Sequence, residues 1–321
     1  MRPISLPQRP QSQRGIALVL VLWLTVMLTV IAGSFAYGMR NEALAARNAL
    51  SWAQARALAD GAIHRTAFEL LRPKVSPDVW SADGSVRTWD DDGARIVVSA
   101  IDESGKIDLN TAPDALLKGL LMTAGGLDEP SAAQFVDVIG DWKDADDLRR
   151  PNGAEAADYK AAGSPYLPAN AFFETVPELQ RVLGMTPALY AKLADNLTVH
   201  TRMSGINPVY ASRAALLAVP GATPETVDTY LAQRRDALAA KLPPPAFPLA
   251  GLAGSVANLW RIRAEVTMPD GVSFVREAVV RPSADRRRLL TMLEWQDGTG
   301  RSLKVPADEQ RDAMTNAPRT Q

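Results

Sequence analysis

The sequence predicts an α+β fold: a long N-terminal helix packed on a small antiparallel sheet, with a large α-helical domain inserted into that sheet. Three observations support this fold class. The run at 16–39 is apolar and uncharged, and no proline interrupts the chain from there to residue 71. Strand patterns occur near residue 98 and again within 259–295. The segment between them, 106–245, has mostly helical patterns.

The boundary between polar and apolar sequence lies at Gly15. Residues 1–15 contain Arg2, Arg9 and Arg14 and no acidic residue, whereas 16–39 contains no charged residue. An ordinary secretory signal is cleaved after its apolar run, at small residues. Cleavage after Gly15 would instead remove a basic leader and leave the apolar run in the mature protein.

The apolar run is long enough to cross a membrane. It exceeds the roughly 20 residues that a helix needs to span about 30 Å of hydrocarbon. The arginines before it favour a cytoplasmic N-terminus, with the rest of the chain across the membrane. The alternative from hydropathy alone is a signal anchor that carries an unrelated soluble domain.

Composition excludes several classes of function. The chain has no cysteine, so disulfides, thiolate catalysis and zinc–thiolate sites are excluded. Its formal net charge of −1 gives no reason to expect a broad surface for polyanions. His64 and His200 are the only histidines, which leaves little material for nucleophilic triads or His-rich metal sites.

The N-terminal helix is predicted to continue past the membrane, from Ile16 to about Leu71, because alanine, leucine and arginine dominate 38–71 and no proline interrupts it. Arg72-Pro73 marks its end. At 1.5 Å per residue the helix is roughly 84 Å long. Steps of three and four residues predict one packed face in its second half. The residues of this predicted face are Ala57, Leu58, Gly61, Ala62, Phe68 and Leu71.

The sheet is predicted to be split by the inserted segment. Residues 95–101 are rich in β-branched side chains, and 259–268 and 272–281 alternate around a Pro-Asp-Gly turn. Residues 289–295 are a further strand candidate. The predicted divisions are a leader at 1–15, a membrane and assembly helix at 16–72, a sheet domain at 73–105 and 246–300, an inserted helical domain at 106–245, and a flexible tail at 301–321.

The inserted segment contains a weak internal repeat, 105–117 and 205–217, each an Asn-containing entry followed by a leucine-rich helix. Thr111 and Asp114 have the spacing of a capping box. The second copy continues through Val219-Pro220-Gly221 and resembles helix-hairpin-helix modules, which often bind DNA backbones. Thr223 replaces the second glycine of that hairpin, and the hairpin carries no Lys or Arg. The resemblance makes a membrane-anchored nucleic-acid-binding protein the alternative function. The missing glycine and cations favour the simpler interpretation, a hairpin that packs against protein.

An acidic loop lies in the first half of the inserted segment. Asp141, Asp144, Asp146 and Glu155 are the candidate metal ligands, because carboxylates at short intervals in a Gly/Pro loop can converge on one hard cation. The spacing is not that of an EF-hand. A solvated acidic loop is the competing interpretation. A paired-carboxylate hydrolase site is a third, although no aromatic cleft accompanies it.

Taken together, these features resemble the type IV pilin class. In that class a prepilin peptidase cleaves after the leader glycine, here Gly15, and methylates the new N-terminus, here Ile16. Most members carry Glu at the fifth mature position, where this chain has Leu20. That departure is typical of one branch, the minor pseudopilin K family of type II secretion systems. Further blocks similar to that family are 105–112, 141–144, Gly153-Ala154-Glu155 with Tyr159, and Trp295.

The resemblance covers the chain from Gly15 to Trp295 and implies a function. Members of this family cap the secretion pseudopilus together with minor pseudopilins I and J. A subunit with Leu20 needs no charged partner in the membrane on one side, which suits a filament end. The resemblance also implies a pilin-like fold, calcium in the inserted domain and a location in the bacterial inner membrane with the C-terminal domain in the periplasm.

The same resemblance implies the partners and the class of protein. The expected partners are other pseudopilins, the inner-membrane assembly platform and the prepilin peptidase. No nucleic acid is expected, and no enzymatic activity. The expected role is to help initiate pseudopilus assembly and so to export folded proteins across the outer membrane.

Overall fold

A computed structural model describes most of the chain. The described residues are 14–73, 79–240, 242–249, 256–285, 287–298 and 303. The predicted leader, up to residue 13, and the predicted tail at 301–321, apart from Leu303, lie outside the described residues. The side chains of Arg14 and Gly15 also lie outside this description.

The chain forms seven α-helices and seven strands within the described residues. The helices are α1 Arg14–Leu71, α2 Asp114–Thr123, α3 Glu129–Lys143, α4 Ala156–Ala161, α5 Pro187–Leu193, α6 Arg213–Leu217 and α7 Pro224–Ala239. The strands are β1 Asp83–Asp91, β2 Ala94–Asp102, β3 Ile107–Asp108, β4 Leu197–Thr198, β5 Trp260–Thr267, β6 Ser273–Pro282 and β7 Leu290–Asp297. The predicted α+β class is confirmed.

The main sheet is antiparallel, with the order β1-β2-β5-β6-β7. β2 and β5 are neighbours although the inserted segment separates them in sequence, and β3 pairs with β4 in a separate parallel bridge. The edge strand β1 was not expected from the sequence. Its residues are rich in Asp, Gly and Ser, which are typical of turns, and pairing with β2 stabilises it as a largely exposed edge.

The second half of α1 packs on the sheet through small residues. Its buried side chains recur at three- and four-residue steps: Ser51, Ala55, Ala59, Ala62, Ile63, Thr66, Ala67 and Leu70. The alanines let the helix lie close to the apolar face of β2, β5 and β6, whose inward residues alternate along each strand. Helix and sheet thus share one hydrophobic core.

The packed face predicted from the sequence was right for three of its six residues. Ala62 is buried, and Leu58 and Leu71 are partly buried against the same core. Ala57, Gly61 and Phe68 are exposed, Phe68 by 55%. The helix has apolar residues on two sides, and periodicity alone does not tell which side receives the sheet.

The direction of α1 places its apolar half at one end of the sheet. Trp52 contacts Phe274 edge-to-face, with ring centroids 5.3 Å apart, next to the β5–β6 turn. Phe68, sixteen residues further along, lies at the opposite end, where it lines a cavity with Leu289 of the β6–β7 hairpin. The inserted segment leaves the sheet after Asp102 and returns near the paired residue Trp260, at this same far end.

Arg276 ties α1 to the edge strand β7. It is buried on β6, and its Nε donates to Asp60 Oδ1 of α1 at 2.7 Å. The Nη1 group of Arg276 pairs with Asp297. The rings of Phe274 and Trp295 lie 5.0 and 5.2 Å from the guanidinium carbon, so the buried cation has both charged and aromatic partners.

An ion network joins the inserted segment to the sheet. Glu103, directly after β2, is fully buried and pairs with Lys106 at 2.9 Å and with Arg261 of β5 at 2.7 Å. Arg261 also contacts Glu294 of β7 at 3.0 Å, and His200, just after β4, contacts Glu294 at 2.7 Å. Burial raises the pKa of Glu103, but Lys106 and Arg261 outweigh it and lower that pKa to about 2.

The inserted segment has its own hydrophobic core, built mainly from α2, α3, α5, α6 and α7. Asn110 lies in the segment before the helix of the first repeat copy and ties that segment to Phe173. Its side-chain oxygen accepts from Phe173 N at 2.8 Å and its amide donates to Phe173 O at 3.0 Å. The predicted capping box at Thr111 was wrong. Pro113 is the N-cap of α2, and the Thr111 hydroxyl donates to Met203 O instead, at 2.8 Å.

Candidate functional site

The first half of α1 is an exposed apolar rod. Among the described residues, one helix, Ile16–Leu71, is long and apolar enough to cross a membrane, and its most apolar stretch is not buried against the rest of the chain. α1 begins at Arg14, so the predicted cleavage point after Gly15 falls in its first turn. The side chain of Ile16 is exposed, and that of Leu20 is 63% exposed.

Two threonine hydroxyls in this rod are hydrogen-bonded within the helix. The Thr25 hydroxyl donates to Leu22 O at 2.8 Å and the Thr29 hydroxyl to Thr25 O at 2.7 Å. No acidic residue precedes Glu42 in α1. A helix with internally paired hydroxyls and no charge is suited to hydrocarbon, where an unpaired polar group is costly.

The acidic loop joins α3 to α4. Asp141 is fully buried in the last turn of α3, Asp144 is the C-cap of that helix and Glu155 is the N-cap of α4. Asp146 is exposed and accepts a turn hydrogen bond from Leu148 N at 2.9 Å. The fold therefore places Asp141, Asp144 and Glu155 where α3 ends and α4 begins, with Asp146 exposed in the loop between them.

Carboxylate oxygens in this region lack partners. Both oxygens of Glu155 and Oδ1 of Asp144 are buried without a hydrogen-bond partner among the described residues. Burial raises the pKa of Glu155, and the charges of Asp141 and Asp144 raise it further. Burial likewise raises the pKa of Asp141, to which Asp144 adds. Such a site disfavours its own negative charge and would gain from a bound cation.

Arg150 is a residue that the sequence interpretation missed. Its backbone N–H donates to the Asp141 carboxylate at 3.2 and 3.3 Å. Its guanidinium Nε lies 3.6 Å from Asp141 and 3.7 Å from Asp144. The arginine follows the acids closely in sequence, and that proximity was the available signal. The guanidinium of Arg150 offsets part of the negative charge of Asp141 and Asp144 that would otherwise attract a cation.

Gly153 explains how the loop reaches the buried carboxylate. A Cβ atom at this position would lie 1.9 Å from Asp141 Oδ2, which excludes any other residue without a shift of the loop or of the carboxylate. Asp137, at the start of this acidic run, accepts from the backbone and the side chain of Asn152 at 3.1 and 3.0 Å. The loop backbone is thus held against the end of α3.

The site fits a hard cation in chemistry but not in arrangement. Buried, unpaired carboxylate oxygens are the donors that calcium prefers. Across the residues that the structure describes, however, no three Asp, Glu, His or Cys side chains converge closely enough to hold an ion. The ligand set of Asp141, Asp144, Asp146 and Glu155 stays a prediction.

The helix-hairpin-helix passage uses its nearby cations within the chain. α6 and α7 form the hairpin around Gly221, which has a φ of +82°, and Thr223 is the N-cap of α7. Arg213 makes a bidentate pair with Asp228 at 2.6 and 2.9 Å. Arg234 donates to two backbone carbonyls at 2.7 and 2.8 Å. These cations stabilise the hairpin and are not directed to a phosphate backbone.

The chain is similar to known secretion proteins. A family model described as type II secretion system (T2SS), protein K, matches residues 98–202. Type II secretion system protein K of Klebsiella pneumoniae is 30% identical over 230 residues, which cover 64% of this chain and 69% of that protein. The protein of the same name from Aeromonas hydrophila is 37% identical over 107 residues, covering 32% of this chain and 31% of that protein.

A solved structure shares the fold. It is the crystal structure of the GspK–GspI–GspJ complex from the type 2 secretion system of enterotoxigenic Escherichia coli. The matched chain is 17% identical, with a TM-score of 0.54, and the match covers 82% of this chain and 99% of that one.

Proposed function

Because the chain belongs to the type II secretion system protein K family, we propose that it is the minor pseudopilin at the tip of the secretion pseudopilus. There it helps to initiate assembly and so to export folded proteins across the outer membrane. The observation that carries most weight is the position of the inserted segment. It leaves and rejoins the sheet at the end remote from the apolar half of α1. A domain attached there stands in the way of any subunit stacked beyond it.

Leu20 supports a terminal position in the filament. A charged side chain within hydrocarbon costs several kcal/mol unless it is paired. Leu20 is apolar, and so are its neighbours throughout 16–39, apart from a few hydroxyl and small residues. This subunit therefore requires no charged partner from a neighbour at that depth, and a tip subunit lacks a neighbour on one side.

The proposed maturation is cleavage after Gly15 by a prepilin peptidase and methylation of Ile16. Intact-mass and N-terminal peptide analysis of the full-length protein, extracted from membranes that contain the peptidase, tests this proposal. The expected product begins at N-methylated Ile16. A product that keeps Met1, or one cut beyond Tyr37, would overturn it. Gly15→Val provides the matched control, since a β-branched side chain at the cleavage point should leave the leader attached.

The proposed partners follow from the solved relative, whose complex contains GspK, GspI and GspJ. We propose that this chain binds the corresponding minor pseudopilins I and J, other pseudopilins and the inner-membrane assembly platform. It would cross the inner membrane once, with Arg2, Arg9 and Arg14 in the cytoplasm and the folded domain in the periplasm. Co-purification of I and J with the full-length chain tests this assignment.

We also propose that the acidic loop holds a structural calcium ion through Asp141, Asp144, Asp146 and Glu155. Buried carboxylate oxygens without partners support this site, as does the raised pKa of Glu155. When bound, calcium would offset the mutual repulsion of these groups. The chain's own contribution is the closure of the loop on Asp141, which Gly153 allows, and the four side chains would have to draw closer to one another around the ion.

The proposed role is structural and not enzymatic. The relatives are named as secretion-system components. A nucleic-acid-binding function is disfavoured because Arg213 and Arg234, the cations nearest the hairpin, are engaged within the chain. Titration of duplex DNA at low salt should show no binding at micromolar protein.

A further inference from the structure

The guanidinium of Arg150 lies against two of the candidate metal ligands at the end of α3. Its Nε is 3.6 Å from Asp141 Oδ1 and 3.7 Å from Asp144 Oδ2. Both distances exceed the roughly 2.7–2.9 Å of a charge-assisted hydrogen bond from nitrogen to a carboxylate oxygen. The Arg150 side chain is also 33% exposed. The cation therefore contacts both acids without a close hydrogen bond to either, and water reaches it.

Gly140 makes room for this guanidinium. It lies inside α3, and its carbonyl accepts from the backbone N–H of Asp144 at 3.0 Å. A Cβ atom at Gly140 would lie 2.3 Å from Arg150 Cζ and 2.4 Å from its Nε. Glycine is unfavourable in a helix interior relative to alanine. Alanine would favour the helix but would push the guanidinium away from it.

The other charged groups nearby have different contacts. Asp114, 67% exposed at the start of α2, lies 3.5 Å from Arg150 Nη1. Lys143 donates its amine to two backbone carbonyls at 2.8 and 3.2 Å. Arg149 turns toward α4, where it pairs with Asp158 at 3.3 Å. Within the described residues, Arg150 is the only cation that forms an ion pair with the acids at the end of α3.

Arg150 leaves other carboxylate oxygens of this region without a partner. Glu155 is 7% exposed, and both of its oxygens, like Asp144 Oδ1, lack a hydrogen-bond partner among the described residues. A guanidinium carries one positive charge, whereas calcium carries two and takes six to eight oxygens. Calcium could satisfy oxygens that the arginine does not reach. Two cations beside the same carboxylates repel each other, so the arginine would have to move away.

We propose that Arg150 is the loop's own cation: it neutralises Asp141 and Asp144 when calcium is absent, and its guanidinium moves into solvent when calcium binds. The inference rests on the proposed calcium site and adds the residue that sets its affinity. Because the arginine and the ion compete for the same two carboxylates, the loop keeps a counter-charge in both states. Calcium consequently binds more weakly than it would to the acids alone.

Calcium titration of the full-length chain in a non-ionic detergent tests this competition. Calorimetry with calcium chloride compares chelator-treated, dialysed wild type with Arg150→Gln. The substitution should lower the Kd for calcium at least about tenfold, because it removes a unit charge about 4 Å from the acids. In chelator it should lower Tm, since Asp141 and Asp144 lose their counter-charge. The matched control is Arg149→Gln, which removes an exposed pair with Asp158 and should change the Kd by less than about twofold.

Gly140→Ala provides an independent measurement that changes no charge. Its methyl group would overlap the guanidinium and displace it, so this variant should also bind calcium more tightly than wild type. Equal or weaker binding by both Arg150→Gln and Gly140→Ala overturns the inference and leaves the calcium site standing. If Arg150→Gln binds calcium and wild type does not, the arginine takes the ion's place in this chain, and the calcium proposal fails instead. Binding by neither wild type nor variants overturns both proposals.

Discussion

Glu103 offers the sharpest test of how the inserted domain is attached. It is buried at the junction between β2 and the inserted segment, with Lys106 and Arg261 as ionic partners at 2.9 and 2.7 Å. Replacing it by Gln removes the charge but preserves size. Lys106 and Arg261 then lose their shared carboxylate, and Arg261, itself only 18% exposed, keeps Glu294 alone. We expect the substitution to destabilise the junction between β2 and the inserted segment.

The magnitude follows from the pKa of Glu103. Folding lowers it from 4.5 to about 2, which at about 1.36 kcal/mol per unit corresponds to about 3 kcal/mol. Because the folded pKa is the lower one, this stability is present above about pH 4.5 and is lost as the pH falls toward 2. Glu103→Gln should therefore lower the free energy of unfolding by about 3 kcal/mol at pH 7 and by under about 1 kcal/mol at pH 2.

Urea unfolding of the full-length chain in a non-ionic detergent measures this difference. Tryptophan fluorescence is a suitable signal, since buried Trp260 pairs with Asp102 next to the junction. The matched control is Glu129→Gln, which breaks an exposed pair with Lys118 worth about 0–1 kcal/mol. The reasoning is refuted if Glu103→Gln has the same pH dependence as wild type, or costs no more than the control.

Three further outcomes are expected. Burial raises the pKa of Glu155 and of Asp141, so calcium-free protein should lose stability as the pH rises through their raised values. Chelator should therefore lower Tm more at pH 7 than at pH 5; an unchanged Tm counts against the site. Gly153→Ala should lower Tm and weaken the calcium response, because its methyl group would overlap Asp141, and a wild-type melting curve would contradict this. Leu20→Glu should reduce secretion in a complementation assay, since it adds an unpaired charge in hydrocarbon, and full secretion would refute the tip argument.

Local patterns predicted the elements that depend on neighbouring residues. The uncharged run at 16–39 and the alternation in β5 and β6 were readable because each is a pattern of contiguous residues. The break in the sheet followed from the strand patterns on its two sides. β1 was missed because its Asp- and Gly-rich sequence has low strand preference, and only pairing with β2 stabilises it. Thr111 was misread because its hydroxyl bonds to Met203, which is distant in sequence.

The candidate site was predictable in its residue types but not in its arrangement. Carboxylates at short intervals indicated a cation, yet the sequence did not tell that Asp141 would be buried while Asp146 stays exposed. Nor did it assign Arg150 as the arginine beside Asp141 and Asp144. Burial depends on how α3 and the loop pack, which no local pattern encodes.

The sequence by itself determined the change from basic to apolar residues at Gly15, the apolar character of Leu20 and the length of the helix that follows. These are properties of contiguous residues, and their physical meaning is set by hydrocarbon thickness and charge. Only the tertiary structure decided which face of α1 meets the sheet and which stays exposed. It alone paired Glu103 with Arg261, 158 residues apart, because such contacts arise from packing and leave no periodic signal in the chain.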